Sequence, residues 1–207
     1  MTEQEARKWI RERFGVSRET ALAHFADLVR VESQRQNLIS AATLDSIWTR
    51  HLVDSAQLVP LADKAGKGAW IDIGTGAGFP GVVVTLLTDR PMALVEPRAR
   101  RVEFLRESVE ALGVGGRVQV IGSKVESYRP AAPAAVISAR AVAELGALFA
   151  SAMHCSTGST LWLLPKGRNA QSEVEAAGKA WQGSFHVEQS VTQPESGIVV
   201  ARGVGPR

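Results

Sequence analysis

The chain has 207 residues, of which 45% are hydrophobic, with a formal net charge of +3 at pH 7 and one cysteine. This length accommodates one α/β domain with an added segment, and one cysteine excludes an internal disulfide and a cysteine-based metal cluster. No apolar run reaches the roughly 20 residues of a transmembrane helix, and the first residues lack the apolar core of a secretory signal. We therefore expect a cytoplasmic protein, whose mild positive charge permits a nucleic-acid partner without requiring one.

The first 62 residues (1–62) are predicted to be helical and to pack on the rest of the chain. Ser17 precedes an apolar series of helical spacing, so we expect it to cap one helix, and Thr43 is expected to cap another. Within the second helix, Arg50 and Asp54 stand four positions apart, where a helix places side chains on one face. They form either a solvated surface pair or a polar face turned toward a ligand.

Residues 63–68, D-K-A-G-K-G, read as a linker to a domain over residues 69–207. Three glycines follow a strand predicted over Ala69–Ile73, and a helix is predicted from Pro80, because proline is favoured in a first helical turn. Glycine permits a positive φ and a close approach of backbone to ligand. The spacing fits two ligand classes: Gly74, Gly76 and Gly78 fit the G-x-G-x-G of S-adenosylmethionine (AdoMet) methyltransferases, and Gly76, Gly78 and Gly81 fit the G-x-G-x-x-G of dinucleotide-binding proteins.

Two acidic residues bear on the choice between these ligands. Asp72 lies near the end of a buried strand, where a carboxylate needs a partner; the amino group of AdoMet would supply one, whereas a pyrophosphate would be repelled. Glu96 ends the second predicted strand, Met92–Glu96, where an acid takes the ribose hydroxyls of adenosine in both folds. Asp72 therefore favours AdoMet, although a glycine turn without any ligand remains an alternative.

Strands and helices alternate through the rest of the chain. The helices are predicted over Arg98–Leu112, Val142–Met153 and Asn169–Trp181, and the strands over Arg117–Ile121, Pro133–Ser138, Thr160–Leu164, Phe185–Val191 and Ile198–Ala201. The last two strands have no helix between them, which distinguishes the methyltransferase version of the doubly wound sheet from the NAD-binding version. We predict an α/β fold with a mostly parallel seven-stranded sheet, the class I AdoMet-dependent methyltransferase fold, and an N-terminal helical extension.

Three arginines stand at the start of the helix predicted over Arg98–Leu112. Arg98, Arg100 and Arg101 oppose the helix dipole at that end, so another interaction must favour them. Contact with phosphate and pairing with Glu103 and Glu107 are both open.

Five segments, taken together, resemble one known family: the bacterial small-subunit ribosomal RNA guanine-N7 methyltransferases, called RsmG or glucose-inhibited division protein B. The segments are N-L-I-S at 37–40, R-H-L-V-D-S at 50–55, D-I-G-T-G-A-G-F-P-G at 72–81, S-A-R-A at 138–141 and K-G at 166–167. The resemblance implies an AdoMet-dependent enzyme that methylates N7 of a guanine in the 530 loop of 16S rRNA. It places cofactor contacts on Gly74, Phe79, Val125, Glu126 and Arg140.

The remaining site predictions come from the residues. Asp72, Gly76, Gly78 and Glu96 are expected at the cofactor. Lys166 and Arg168 follow the fifth strand, on the edge where doubly wound sheets bind ligands, and are predicted, with Arg50 and His51, to contact RNA. We predict a monomer with no metal site and no catalytic base, because guanine N7 carries a free lone pair at neutral pH.

Three other functions remain open on the sequence alone. The chain could be a methyltransferase of another substrate, a non-catalytic AdoMet-binding module or an NAD-linked oxidoreductase. Ser138-Ala139-Arg140-Ala141 stands where enzymes that methylate the adenine amine carry an N-P-P-Y-type tetrapeptide, which speaks against that reaction.

Overall fold

The computed structural model describes all 207 residues. Its centre is a seven-stranded sheet in the order β3-β2-β1-β4-β5-β7-β6. The strands are β1 (Trp70–Ile73), β2 (Met92–Val95), β3 (Val118–Ile121), β4 (Val136–Ala139), β5 (Leu161–Lys166), β6 (Trp181–Gln189) and β7 (Gly197–Pro206). Strands β1 to β5 pair in parallel, and β7 runs antiparallel between β5 and β6. The predicted fold class is confirmed.

Helices cover both faces of the sheet. They are α1 (Glu3–Phe14), α2 (Val16–Ser33), α3 (Ala41–Leu44), α4 (Asp54–Ala56), α5 (Leu58–Leu61), α6 (Gly81–Leu87), α7 (Ala99–Ala111), α8 (Leu145–Ala152) and α9 (Ala170–Ala177). Every residue of β1, β2 and β4 is buried, as expected for parallel strands with helices on both sides. None of the helices is long and apolar enough to cross a membrane.

The N-terminal helices share a hydrophobic core with the sheet. Ile10 of α1 and Phe25 of α2 belong to one buried cluster with Val82 of α6 and Leu94 of β2. A second cluster, on the opposite face, contains Phe149 of α8 with residues of α9 and the C-terminal hairpin. Residues 1–62 are therefore packed on the sheet rather than tethered beside it.

The linker is also tied to the sheet domain. A 3₁₀ turn occupies Ala62–Lys64. The guanidinium of Arg90 donates to the carbonyl of Gly66 at 2.7 Å, and that of Arg202 donates to the carbonyl of Lys64 at 2.9 Å.

Two predicted helix starts in the N-terminal segment are wrong. Helix α2 begins at Val16 after Gly15, so Ser17 lies inside it, and Thr43 lies inside α3, whose preceding residue is Ser40. The second predicted helix is also interrupted by a π-helical turn over Trp48–Val53. The carboxylate of Glu3 accepts hydrogen bonds from the backbone N–H groups of Trp48 and Thr49 at 2.9 and 2.8 Å, so α1 stabilises this irregular start.

The C-terminal boundaries also differ from the prediction. Helix α9 ends at Ala177, and Trp181, predicted to be helical, begins β6. Trp181 pairs with Pro206 and Gln182 with Gly205, so pairing with a strand distant in sequence decides the local structure here.

Candidate active site

The three glycines of the turn after β1 all have positive φ, but they serve different purposes. The φ angles of Gly74, Gly76 and Gly78 are 66°, 59° and 95°. A Cβ at Gly76 would make only ordinary contacts, 3.4 Å from the flexible Arg101 side chain and 3.8 Å from the carbonyl of Gly74, whereas a Cβ at Gly78 would lie 2.8 Å from the ring of Phe25. Gly76 therefore leaves room beside the turn, and Gly78 is required by packing against α2 rather than by a ligand.

Asp72 has protein partners on both carboxylate oxygens. Oδ2 accepts from the N–H of Gly81 at 2.9 Å, and Oδ1 accepts from the hydroxyl of Ser138 at 2.6 Å; the indole of Trp70 donates to that hydroxyl at 2.8 Å. The side chain is fully buried, and burial raises the pKa of Asp72 to about 6, an effect that the Ser138 hydrogen bond opposes. The sequence predicts the amino group of AdoMet as the partner of this carboxylate. In the structure the carboxylate binds the N–H at the start of α6 and the Ser138 hydroxyl, so it needs no ligand as its partner.

Glu96 likewise braces the turn. Its Oε2 accepts from the N–H of Gly76 at 3.0 Å and its Oε1 from the N–H of Arg98 at 2.9 Å. The side chain is buried, and Arg101 Nη1 lies 4.0 Å from Oε2. The predicted contact with a ribose is untested, and Arg101 covers this carboxylate from the outside.

A cleft of about 820 Å³ opens beside the turn. The glycine turn, the loop 141–144, the hairpin loop and residues 38–54 line it. It lies beyond the carboxyl ends of β1, β4 and β5, where doubly wound sheets bind ligands. Its volume is typical of small-molecule sites, which measure roughly 300–1,000 Å³.

Arg140, at the end of β4, is held by two residues of the N-terminal segment. Nη1 lies 3.0 Å from Oδ2 of Asp54, and Nη2 lies 3.0 Å from Nδ1 of His51. The guanidinium also stands 5.5 Å from the centre of the Phe79 ring, within the range of a cation–π contact. Arg140 lines the cleft as predicted, but it is also a member of a structural ion pair.

His51 is neutral, and both of its ring nitrogens form hydrogen bonds. Burial, and next the charges of Arg140 and Arg50, lower its pKa to about 3. A guanidinium only donates, so Nδ1 is the acceptor, and the proton on Nε2 is donated to Thr43 Oγ1, at 3.0 Å. The ring stacks on Phe79 with centroids 4.8 Å apart.

Arg50 and Asp54 do not pair with each other, which excludes the solvated surface pair. Both side chains line the cleft, as the alternative of a polar face turned toward a ligand predicts. Asp54 instead pairs with Arg140 and also accepts from the hydroxyl of Thr192, at 3.0 Å, and from the amide of Gln57. Arg50 is exposed and lines the cleft.

The two basic residues after β5 are compensated by acids. Lys166 Nζ lies 2.7 Å from Glu173 Oε2 and 2.5 Å from the carbonyl of Ala143, and its side chain is only 10% exposed. Arg168 is exposed but lies 2.6 Å from Glu195. The expectation that both are free to contact phosphate is therefore not supported: Lys166 is an internal ion-pair partner at the cleft wall.

Val125 and Glu126 lie outside the cleft. They begin a 3₁₀ turn over Val125–Ser127, where Val125 is buried against the second core cluster and Glu126 is exposed. Their predicted contact with a cofactor remains a prediction.

The loop over residues 141–144 is a part of the site that sequence reasoning missed. A helix was predicted from Val142, but α8 begins at Leu145. Ala141 has a φ of 56°, which is unusual for a residue with a Cβ. The Val142 side chain packs against Gly74, where an added Cβ would lie only 2.6 Å from it. The S-A-R-A segment marked the place, but nothing in an alanine signals a positive φ.

The residues of the cleft fit AdoMet. Gly76 provides a position where a Cβ would make only ordinary contacts, with the Arg101 side chain and the carbonyl of Gly74, and Phe79 and Arg140 supply an aromatic and a cationic group beside it. Most of the other lining residues are polar or charged, which suits the ribose hydroxyls and the charged methionine half of AdoMet.

Comparison with protein families matches residues 18–199 to the family described as GidB, rRNA small subunit methyltransferase G. Two of the similar proteins carry the name Ribosomal RNA small subunit methyltransferase G. That of Rhizorhabdus wittichii is 51% identical over 208 residues, covering 100% of this chain and 95% of its own. That of Novosphingobium aromaticivorans is 47% identical, covering 98% of this chain and 89% of its own.

Solved structures with the same fold include AdoMet enzymes. A variant of MtNAS in complex with S-adenosylmethionine superposes with a TM-score of 0.62 at 17% identity, covering 94% of this chain and 79% of its own. An O-methyltransferase from Bacillus cereus in complex with SAH superposes with a TM-score of 0.61 at 11% identity, covering 94% of this chain and 96% of its own. At these identities the likeness concerns the fold.

Proposed function

The chain belongs to the rRNA small subunit methyltransferase G family, and from that premise we propose that it transfers the methyl group of AdoMet to N7 of a guanine in the 530 loop of 16S rRNA. The observation that carries the proposal is the cleft, in which the glycine turn after β1 faces the Arg140–His51–Phe79 cluster. Bound AdoMet supplies an electrophilic methyl group on a sulfonium.

Three groups of residues hold the cofactor. Gly74, Gly76, Phe79 and Arg140 form the wall that it contacts, because these residues line the cleft. Val125 and Glu126, after β3, flank its adenosine side. Three further residues support the turn from the protein interior: Asp72, Gly78 and Glu96 hold it in the conformation that leaves room beside Gly76.

The chain contributes orientation rather than proton transfer. Guanine N7 attacks with a lone pair that is free at neutral pH, so no base has to remove a proton. His51 suits this chemistry: it is neutral, one ring nitrogen accepts from Arg140 and the other donates to Thr43. It therefore positions Arg140 and the Phe79 ring, and aligning the reactants in this way lowers the barrier.

The product guanine is cationic, and carboxylates near the cleft favour the developing charge. Asp54 and Glu173 both line the cleft. Each is already paired with a cation, so the two carboxylates offset the positive charge that Arg140 and Lys166 alone would give the cleft.

We propose further that the protein acts in the cytoplasm as a monomer. Arg50 and His51 stand at the side of the cleft where RNA would enter. Lys166 and Arg168 contribute through their ion pairs rather than as free cations.

The test is methylation of small ribosomal subunits from cells that lack the protein. We expect transfer from AdoMet to yield 7-methylguanosine, recognised by strand scission after reduction and aniline treatment. A methylated base without this lability would refute the N7 assignment. Calorimetric binding of NAD in place of AdoMet, or activity on a small molecule without RNA, would refute the proposed function as a whole.

A further inference from the structure

The cations around the mouth of the cleft fall into two groups. On the β5 side, Lys166 and Arg168 each lie within 2.7 Å of a carboxylate oxygen. The other group consists of Arg35, whose segment contacts Arg100 in the first turn of α7, of Arg98 and Arg100 at the start of that helix, and of Arg50 at the cleft, and all four arginines are exposed. We call this group the arginine wall: Arg35, Arg50, Arg98 and Arg100.

The arginine wall is continuous with the cleft. Arg100 Nη2 donates to the carbonyl of Arg35 at 3.1 Å, and the amide of Gln36 donates to the carbonyl of Arg100 at 3.2 Å, so the two segments are in direct contact. Arg50, from the same N-terminal segment, lines the cleft, as does Arg101 of α7. The wall therefore extends from the cleft outward over the surface.

The charge of the arginine wall has little internal compensation. No carboxylate oxygen lies within 4.0 Å of the guanidinium nitrogens of Arg50, Arg98 or Arg100. Arg35 lies 3.5 Å from Glu32 but its side chain is 70% exposed. The alternative raised by the sequence, pairing of the α7 arginines with Glu103 and Glu107, does not occur.

Two of these arginines also oppose the dipole of α7. Arg98 precedes the first helical residue and Arg100 is the second, positions where positive charge is unfavourable and negative charge is stabilising. The buried carboxylate of Glu96 accepts from the N–H of Arg98 at this end of α7 and lies 4.0 Å from Arg101, but it pairs with neither the Arg98 nor the Arg100 guanidinium, so these two remain available to an external anion. Arginine suits phosphate in particular, because its planar fork matches phosphate oxygens bidentately.

We propose that the arginine wall binds the sugar-phosphate backbone of the substrate RNA, with the target base entering the cleft past Arg50. This role rests on the proposed function, and it assigns the RNA contact to these arginines rather than to Lys166 and Arg168. The exposed guanidinium groups, three of which have no carboxylate partner, provide affinity and register, as phosphate contacts do in nucleic-acid complexes.

The experiment measures how binding of the full-length protein to small ribosomal subunits, isolated from cells lacking it, depends on salt. Two variants remove charge, Arg50→Gln and the double variant Arg98→Gln/Arg100→Gln, and Lys179→Gln is the matched control because it removes an exposed cation remote from the wall in sequence. Each lost phosphate contact lowers the slope of log K against log salt by about one. We therefore expect a fall of about one for Arg50→Gln and of about two for the double variant, with none for Lys179→Gln.

Two further measurements separate a lost RNA contact from a damaged fold. AdoMet affinity and the thermal midpoint should stay at wild-type values in the wall variants, and Arg100→Lys should keep most of the slope because it keeps the charge. A wild-type slope in the double variant, or a slope that falls with Arg168→Gln instead, would overturn the proposal. So would an effect of the variants on ribosomal particles that disappears with a naked 16S rRNA transcript, since the partner would then be an acidic protein surface.

The outcomes also separate this proposal from the proposed function. If wild-type protein yields no 7-methylguanosine, the proposed function fails whatever the salt slopes are. If wild-type protein methylates subunits and the wall variants keep their slopes and activity, only the role of the arginine wall fails.

Discussion

The carboxylate of Asp54 lies 3.0 Å from the guanidinium of Arg140, although 86 positions separate them in the chain. The contact joins the N-terminal helical segment to the end of β4, and Thr192 brings the hairpin loop to the same carboxylate. One side chain therefore holds three walls of the cleft together.

Asp54→Asn should weaken AdoMet binding more than it weakens the fold. The substitution removes the charge that holds Arg140, and both side chains are only 19% exposed, so we expect a loss of about 1–3 kcal/mol in stability with a clear fall in calorimetric affinity. Asp27→Asn is the matched control: Asp27 pairs with Arg30 on the surface, where such pairs contribute about 0–1 kcal/mol. Unchanged AdoMet affinity in Asp54→Asn would show that Arg140 does not depend on this partner.

Gly76→Ala and Gly78→Ala should fail in different ways. Both glycines have positive φ, which costs an alanine about 1–2 kcal/mol. The added Cβ at Gly76 comes no closer than 3.4 Å to any atom, whereas at Gly78 it meets Val82 and Phe25 at 2.7 and 2.8 Å. We expect Gly76→Ala to fold and lose AdoMet affinity, and Gly78→Ala to be the less stable of the two in denaturant unfolding. The reverse order of stabilities would contradict this division of roles.

Ser138→Ala should destabilise the protein more at pH 8 than at pH 5. The folded pKa of Asp72, about 6, exceeds its usual 3.8, so its contribution to stability is present below 3.8 and is lost as pH rises through about 6. Without the Ser138 hydroxyl, the ionised form of Asp72 is still less stable in the folded protein, and the Trp70 indole loses its acceptor. Urea unfolding at the two pH values, with the exposed Ser172→Ala as control, measures the difference; equal losses at both would contradict it.

His51→Gln should flatten the acid side of the stability profile. The folded pKa of His51, about 3, lies below its usual 6.5, so its contribution is present above 6.5 and is lost as pH falls toward 3. A glutamine does not titrate, and its amide can accept from Arg140 and donate to Thr43. Thermal midpoints across this range test the effect against His24→Gln, which removes an exposed ring; a profile as steep as wild type would refute it.

Lys166→Ala should lower AdoMet affinity and leave the salt dependence of RNA binding unchanged. Lys166 donates to the carbonyl of Ala143, while its partner Glu173 accepts from the N–H of Leu145 at 3.2 Å, so the pair fixes the end of the loop 141–144 that leads into α8. Lys179→Ala is the control for charge loss. A reduced salt slope with normal AdoMet affinity would instead indicate that Lys166 contacts the RNA.

The sequence was sufficient for the topology because the topology depends on local patterns. Apolar runs separated by amphipathic helices predict a parallel sheet, and the two final strands without a helix predict the antiparallel edge. The glycine turn was equally readable, since only glycine suits positive φ there. Arg140 was placed correctly at the cleft because the end of a parallel strand always faces that edge.

The differences from the prediction depend on contacts that the fold creates. For Asp72 the sequence predicts a ligand as the partner, whereas the fold supplies the hydroxyl of Ser138 and the N–H of Gly81. For Lys166 it predicts contact with RNA, whereas the turn from β5 into α9 brings the carboxylate of Glu173 beside it. For Asp54 the fold supplies Arg140, 86 positions away, as the ion-pair partner.

Strand β7 is the seventh along the chain but the sixth across the sheet. During translation, residues 161–166 leave the ribosome well before residues 197–206, and in the finished sheet only β7 covers this side of β5. The outer edge of β5, whose residues 161–165 are buried in the finished protein, is therefore unpaired by β7 until those residues are made, and an open apolar edge is a template for pairing with other chains. We therefore expect the nascent chain to be more prone to aggregation before β7 has been synthesised than the finished protein is.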